Sequence, residues 1–295
     1  MTIRHLSYFI KVSELGSITK AAEELCVAQP SVSQTIKELE NYYGITLFIR
    51  SNKKLTLTKE GEELLAKARN TVESFNSFED LANEKKNNPH IRIGCTVTYG
   101  IRALPLLIKE IKKAIPNITY NIYMDKLYIL EDKLIKGELD FALVEGLPTN
   151  KNLKSMIFGH DKMWVVAGKD YDIPSKISLK DLHKYDLLVR EEDSSPRKLT
   201  DYYLALKGIK YTPKMESISN IAIMRMVQAN EGVAFLPMGV CEPYIEKGLI
   251  RKIETDIEVK RPLHVLYNKN KQFSNAGKKA MSIAFKYLTN YRDDD

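Results

Sequence analysis

Between Thr58 and about Lys86 the sequence holds no proline and a single glycine, Gly61, and it reads as one long polar helix of about eight turns. Its apolar residues are few. Leu65, Ala68, Val72 and Phe75, with Leu64 and Leu81 nearby, form a narrow stripe close to the repeat of about 3.5 residues found where helices pair. A stripe that narrow cannot bury so long a helix inside one domain. A partner helix is the favoured reading, which makes Leu65, Ala68, Val72 and Phe75 dimerisation residues. The alternative is packing on the chain's own domains. Asn87-Asn88-Pro89 stops the helix and marks a boundary. The 295 residues are thus divided into a small N-terminal part and a C-terminal part of about 200 residues.

The first 58 residues read as three short helices and a hairpin. Leu6, Phe9, Ile10 and Ser13 share one helical face, which ends at Gly16. Ser17 is a good N-cap for a second helix carrying Ile18, Ala21, Ala22 and Leu25 at helical spacing. A third helix starts at Gln29-Pro30, with Val32, Ile36, Leu39 and Tyr43 as its apolar stripe and Gly44 as its stop. Leu47–Arg50 and Leu55–Leu57 are strand-like, with a turn at Ser51-Asn52-Lys53-Lys54.

Two helices joined by a tight turn describe a helix-turn-helix, whose second helix reads base edges in the major groove. If the Val32 stripe faces inward, Ser33, Gln34, Lys37 and Asn41 face outward, with Gln29, Pro30 and Ser31 at the helix start. Amides suit an adenine edge, hydroxyls suit base or phosphate, and lysine suits phosphate or guanine. Arg50, Lys53 and Lys54 in the hairpin would touch backbone beside the groove. Spacing alone also allows a three-helix protein-interaction module with a solvated polar face.

Beyond Pro89 strand-like and helix-like runs alternate, which implies parallel sheet in an α/β domain. Strands fall at Ile91–Val97, Ile118–Met124, Phe141–Val144, Met163–Ala167, Asp186–Val189, Val233–Leu236 and Leu263–Tyr267. A helix runs from Thr98 through Pro105, and others lie near 127–136, 196–207, 220–229, 238–246 and 276–290. One sheet and two similar halves are both open readings.

Of the net charge of +7, residues 1–59 hold 8 basic and 5 acidic side chains, and most of the excess lies in the C-terminal part. Net charge alone therefore fits a nucleic-acid binder without locating the site. The 3 cysteines, Cys26, Cys95 and Cys241, are far apart and form no Cys-x-x-Cys pair, so neither a disulfide scaffold nor a thiolate zinc site is expected. The five histidines show no metal spacing, and no dinucleotide, phosphate-loop, zinc-protease or nucleophile-elbow motif occurs, so no catalytic residues, metal or cofactor are expected. The longest uncharged apolar run, Gly232–Cys241, is half the about 20 residues a membrane helix needs. With no secretory signal at the N-terminus, the expectation is a cytoplasmic, non-membrane protein.

One continuous register carries a resemblance. It runs from Gly16-Ser17-Ile18-Thr19-Lys20-Ala21-Ala22 through Leu25, Val27, Gln29-Pro30-Ser31-Val32-Ser33, Ile36 and Leu39-Glu40. It continues through Gly44-Ile45-Thr46-Leu47-Phe48, Arg50 and Leu55-Thr56-Leu57-Thr58 to Gly61. Over nearly all of residues 1–65 the chain resembles the LysR-type transcriptional regulators, and its length and order of parts match a full-length member. The resemblance implies a winged helix-turn-helix at 1–58, a linker and dimerisation helix at 59–88, and an effector-binding domain at 89–295. That domain would be a two-lobed, periplasmic-binding-protein-like α/β fold, with lobe I at about 89–163 and 268–295 and lobe II at about 164–267. It further implies a homodimer or homotetramer on double-stranded DNA at an interrupted palindromic promoter site. A small-molecule effector would sit between the lobes, and RNA polymerase would be a partner if the protein activates. Ala28 stands where the family often has Ser or Thr, and Gln34 where it often has a basic residue, so no operator sequence transfers.

Doubly wound domains bind ligands beyond the carboxyl ends of their strands, at helix starts. Three such junctions carry hydroxyls: Thr96-Val97-Thr98-Tyr99-Gly100, Ser194-Ser195-Pro196 and Ser217-Ile218-Ser219-Asn220. By resemblance the effector cleft takes Thr96, Thr98, Tyr99, Glu145, Gly146, Ser195, Ser219, Asn220 and Phe235, with the strands through Met163–Ala167 and Leu263–Tyr267 as hinge. Hydroxyls and free N–H groups favour a small anion. Each Ser or Thr could equally be a plain N-cap, Phe235 suits a core better than a ligand wall, and Glu145 would oppose a dianion unless paired. The competing reading is a solute-binding or interaction protein whose N-terminal part merely dimerises.

Overall fold

The computed structural model describes residues 1–51, 54–86 and 88–290. At the N-terminus, α1 (Ile3–Leu15), α2 (Ile18–Glu24) and α3 (Gln29–Tyr43) are followed by a hairpin of β1 (Phe48–Ser51) and β2 (Lys54–Leu57), in register Phe48↔Leu57. Phe9, Val12, Ala21, Ala22, Val32, Ile36 and Leu39 bury one core among the three helices. Gly16 and Gly44 end α1 and α3 in left-handed backbone. Tyr43, expected on the buried stripe, is instead 51% exposed. There α3 runs past the core, and Tyr43 lines an open crevice between α1, α3 and the next helix.

That helix, α4 (Lys59–Lys85), begins at Thr58, whose hydroxyl accepts from Gly61 N at 2.9 Å. One face docks on the chain itself. Ala68 is buried in the N-terminal core and Leu65 packs against it. Glu73 and Ser77 are buried against the C-terminal part. Lys271 pairs with Glu73 at 2.5 Å and with Asp140 at 2.8 Å, and Asp140 pairs also with Arg92 at 2.8 Å. Glu84 accepts from the backbone N–H of Asn275 and Ala276, at 3.1 and 2.9 Å. Own-chain packing therefore accounts for this face. Val72 is half-buried, while Phe75, Phe78 and Leu81 stay exposed on the others.

The C-terminal part continues β3 (His90–Cys95), α5 (Val97–Arg102), α6 (Leu104–Ala114), β4 (Thr119–Met124), α7 (Leu127–Ile135), β5 (Phe141–Glu145), β6 (Leu153–Gly168) and β7 (Lys176–Ile177). After a 3-10 turn at Leu179–Lys184 come β8 (Leu188–Arg190), α8 (Ser195–Ala205), β9 (Met215–Ser217), α9 (Asn220–Gln228) and β10 (Val233–Pro237). The chain ends with α10 (Met238–Glu246), β11 (Ile250–Thr255), β12 (Val259–Asn268) and α11 (Asn275–Asn290). The single helix expected from Thr98 is two, because Pro105 has no N–H to continue a helix and opens α6 instead.

One sheet of order β4-β3-β5-β12-β6-β11-β7, with β10 also on β6, spans both lobes, while β8 and β9 pair separately. β3, β4 and β5 are parallel as expected, but β12 pairs antiparallel over its whole length with residues 153–163 of β6. Residues 263–266 of β12 pair with β5, whereas residues 163–168 of β6 pair with β10 and β11. The two strands therefore cross between lobes at 159–163 and 259–263. The second crossing falls a few residues before the boundary expected near 267, because one unbroken strand serves both lobes. Separate cores cover both sheet faces in each lobe, as a doubly wound architecture requires. α11 seats closely on the first lobe through the small stripe Ala276, Ala280 and Ala284.

Candidate nucleic-acid interface and interlobe cleft

Ser17 caps α2 by accepting from Lys20 N at 3.3 Å, and the turn into α3 passes through Cys26 at φ 53. α3 starts at Ala28 with no side-chain cap and with Pro30 in its first turn. Pro30 has no N–H and Ser31 N donates to Ala28 O at 3.0 Å, so few of the helix's first N–H groups remain for a phosphate. Gln29, Pro30, Ser31, Gln34 and Lys37 are exposed and Ser33 is half-buried, all away from the Val32–Leu39 core face. Gln34 Nε2 donates to Glu38 Oε1 at 3.0 Å, and Glu38 Oε2 lies 3.2 Å from His5 Nε2. These two partners hold the Glu38 carboxyl below its usual range, Gln34 contributing more than His5. Sequence reasoning missed this carboxylate on the reading face, although the four-residue Gln–Glu spacing carries the signal. Glu40 Oε1 accepts from the backbone N–H of Leu47 and Phe48, at 2.8 and 3.3 Å, and so ties α3 to the hairpin. Lys53 and the side chains of Arg50 and Lys54 lie outside the described residues.

In the C-terminal part, Thr96 is the N-terminal flank of α5 and donates its hydroxyl to buried Glu145 at the end of β5. Glu145 also faces Arg261 Nη2 at 3.4 Å. Arg261 is 1% exposed and bonds Asp161 at 2.8 Å, where β6 and β12 cross between lobes. The carboxylate expected to oppose an anion is therefore paired inside the fold. Gly146, at φ +95, lets the chain pass Ser195 closely, since a Cβ on Gly146 would stand 3.0 Å from Ser195 Oγ. Ser194 rather than Ser195 caps α8, accepting from Arg197 N at 3.3 Å. Ser219 caps α9, and Asn220 Oδ1 accepts from Arg190 Nη1 at 2.6 Å.

Thr96, Glu145, Gly146 and Ser195 thus gather where the lobes meet, and Ser219 and Asn220 gather around Arg190. Thr98 is half-buried at the first turn of α5. Tyr99 packs edge-on to Phe158 in the first lobe's core, and Phe235 is buried in the second lobe's. Sequence reasoning missed Arg190, Arg261 and Lys126. Arg190, itself buried, binds Glu191 through Nε at 2.8 Å and Nη2 at 3.1 Å. Lys126 Nζ of the first lobe reaches Glu191 and Asp193 of the second, both at 3.8 Å. Nothing in the sequence separates these cations from the many solvated ones. No described helix is long and apolar enough to cross a membrane.

The bacterial regulatory helix-turn-helix family of LysR type matches residues 3–62, and the LysR substrate binding domain matches residues 84–283. The HTH-type transcriptional activator CmpR of Synechocystis is 26% identical over 92% of this chain and 91% of its own. A probable RuBisCO transcriptional regulator of Thalassiosira pseudonana is 29% identical over 93% of this chain and 94% of its own. Among solved structures, a full-length OxyR variant from Pseudomonas aeruginosa superposes with TM-score 0.70 at 22% identity, covering 98% of this chain and 94% of that one. Full-length CbnR in complex with its target DNA gives TM-score 0.57 at 19% identity, over 98% of this chain and 100% of that one. At those identities the two structures speak for the fold.

Proposed function

Because the chain belongs to the LysR family of transcription regulators, with the family's helix-turn-helix and substrate-binding domains, we propose that a small anionic effector controls its binding to an interrupted palindromic promoter site. It is a regulator and not an enzyme. It acts in the cytoplasm, where its DNA is, and binds that DNA as a homodimer or a tetramer built from homodimers. α3 reads bases through Gln29, Ser31, Ser33, Gln34 and Lys37, and Arg50, Lys53 and Lys54 hold the backbone beside them. α4 pairs the protomers. Between the lobes the effector meets Thr96, Thr98, Gly146, Ser195, Ser219 and Asn220. It favours one arrangement of the lobes only as far as it binds that arrangement better.

The observation that carries the anionic reading is Arg190. It is a buried guanidinium near the starts of α8 and α9 whose present partners, Glu191 and Asn220, an anion would have to displace, while Glu145, the carboxylate that would oppose an anion, is paired with Arg261. Helix starts and a desolvated guanidinium together favour a carboxylate or phosphate.

The test is a mobility shift at fixed salt on DNA from upstream of the protein's own gene, followed by a thermal-shift panel of small carboxylates and phosphates. A specific complex lost in Gln29→Ala/Lys37→Ala, with the oligomer intact, is the expected result for DNA. An anion that raises Tm in the native protein but not in Arg190→Gln is the expected result for the cleft. A neutral or cationic ligand that binds equally well to Arg190→Gln would remove the anionic reading.

A further inference from the structure

Strand β8 ends at Arg190, and the next side chain turns back onto it. Successive residues of a strand point to opposite faces, so Arg190 and Glu191 would not meet if β8 continued. Ser194 prevents that. Its backbone N–H and its hydroxyl both donate to the carbonyl of Glu191, at 3.0 and 2.8 Å, and close a turn. The Glu191 carboxylate then takes the Nε–Nη2 edge of the Arg190 guanidinium, at 2.8 and 3.1 Å, an edge that receives a carboxylate through two parallel bonds. Asn220 holds Nη1 at 2.6 Å, and the Arg190 carbonyl accepts from Arg197 Nη1 at 3.1 Å, so the seat itself is fixed.

The same carboxylate faces the other lobe. Glu191 Oε1 lies 3.8 Å from Lys126 Nζ, in the loop between β4 and α7. Asp193 stands as far from Lys126, but its side chain is 61% exposed where that of Glu191 is 13% exposed. Glu191 is thus an anion seated between one cation of each lobe, at the β8–α8 junction assigned to the effector's anionic group. Withdrawing it would leave a guanidinium only 10% exposed with no counter-charge on that edge, a state that draws in another anion.

We propose that Glu191 is a tethered stand-in for the effector's anionic group. Effector binding is then an exchange at Arg190 of an internal anion for an external one, and it also parts Glu191 from Lys126 of the first lobe. This rests on the reading of the cleft as an anion site and adds what fills the seat beforehand and what can replace it. Glu191 follows Arg190 directly in the chain, so its effective concentration at the seat is at least on the order of millimolar. A free monocarboxylate would make the same two bonds, give up its translational freedom and lose the exchange. The effector must therefore bring a second anionic group for Lys126, which points to a dicarboxylate or a phosphate monoester. Glu145, being paired with Arg261, does not oppose such a dianion.

The test uses full-length protein at constant ionic strength, with sodium acetate replacing sodium chloride. Acetate should leave the Tm of the native protein unchanged and raise that of Glu191→Ala by about 2–4 °C, by filling the emptied seat. The gain should vanish in Glu191→Ala/Arg190→Gln. Glu191→Gln keeps the side chain's length and removes its charge, and so covers the case of a Glu191→Ala that does not fold. By isothermal titration it should bind inorganic phosphate at least about tenfold more tightly than the native protein does. An acetate gain in Glu191→Ala no larger than the native protein's would overturn the inference, as would equal phosphate affinity in Glu191→Gln and the native protein. An anion whose binding needs Arg190 but is equally tight in Glu191→Gln would overturn this inference alone and leave the anionic reading standing. A gain in Glu191→Ala that survives Arg190→Gln would take the seat away from Arg190, and both readings would fall together.

Discussion

Gln34 Nε2 donates to Glu38 Oε1 one helical turn along α3, so one donor of an amide proposed to read a base is already engaged. DNA must win it from a carboxylate that also repels phosphate. Glu38→Gln removes the charge while keeping a side chain of the same length. The expected result is nonspecific DNA binding tighter by about threefold at low salt, with the gain shrinking as salt rises. Titration on random-sequence DNA at two ionic strengths checks it. Unchanged affinity at low salt would place Glu38 outside the phosphate field.

Glu73 lies against Gly137, which sits at φ +71 and has no room for a Cβ beside the carboxylate. Lys271 is the cation that lets Glu73 and Asp140 be buried together. Burial raises the Glu73 pKa, only partly offset by Lys271. Burial would raise Asp140 too, but Lys271 and Arg92 overcome it and hold its carboxyl low. The two carboxylates therefore pull stability in opposite directions with pH. Asp140 contributes fully above its unfolded pKa, and that contribution is lost as pH falls through its lowered folded value. Glu73 destabilises when charged, and stability is gained as pH falls through its raised folded value toward the unfolded one. Lys271→Met leaves both carboxylates without this partner and should cost about 3–5 kcal/mol at pH 8. The loss should be smaller at pH 5.5 than at pH 8, because the raised pKa of Glu73 increasingly favours its neutral form as pH falls. Urea titrations at the two pH values check the sign, and Glu73→Gln added to Lys271→Met should recover part of the loss.

The N-terminal module is legible in the sequence because its signals are local. Ser17 caps α2, Gly16 and Gly44 stop helices, and Val32, Ile36 and Leu39 repeat on one face. What escapes depends on distance in space. Tyr43 continues the stripe in sequence, yet the core ends one turn earlier. Only Met163–Ala167 of β6 reads as strand, because its first ten residues mix buried and exposed positions without regular alternation and carry charges. Arg190 and Arg261 look like any surface arginine until β8 and β12 bury them. In the cleft, the sequence singles out Ser195 by its hydroxyl at the start of α8, and the cap there is its neighbour Ser194. Tyr99 and Phe235, expected at the ligand, are packed against the cores of the two lobes.

The three thiols should separate cleanly by reactivity. Cys26 is exposed in the turn before α3, whereas Cys95 and Cys241 are buried. Burial, with the Glu145 carboxylate adding to it, pushes the Cys95 thiol up to about 12, and burial raises Cys241 as well. A thiol reacts through its thiolate, so both should be inert in the native state. At pH 8 iodoacetamide should label Cys26 within minutes and the other two only after unfolding. Mass spectrometry of the labelled peptides checks it, and rapid native labelling of Cys95 would mean that the first lobe opens beneath α5.

Arg261 offers the sharpest test of how the lobes are joined. It lies where β12 crosses between them and answers two carboxylates, Asp161 on β6 and Glu145 at the end of β5. Glu145 in turn holds Thr96 at the start of α5. Removing the guanidinium leaves two buried charges without a counterion, a change that costs about 3–5 kcal/mol in comparable sites. Arg261→Met should therefore destabilise the C-terminal domain by about that much, read by the fluorescence of Trp164, the only tryptophan. Arg261→Met/Glu145→Gln should restore a good part of it, because one of the two stranded charges is gone. If the double variant is no more stable than the single one, the burden lies on Asp161, and Glu145 is tied to Thr96 rather than to the crossing.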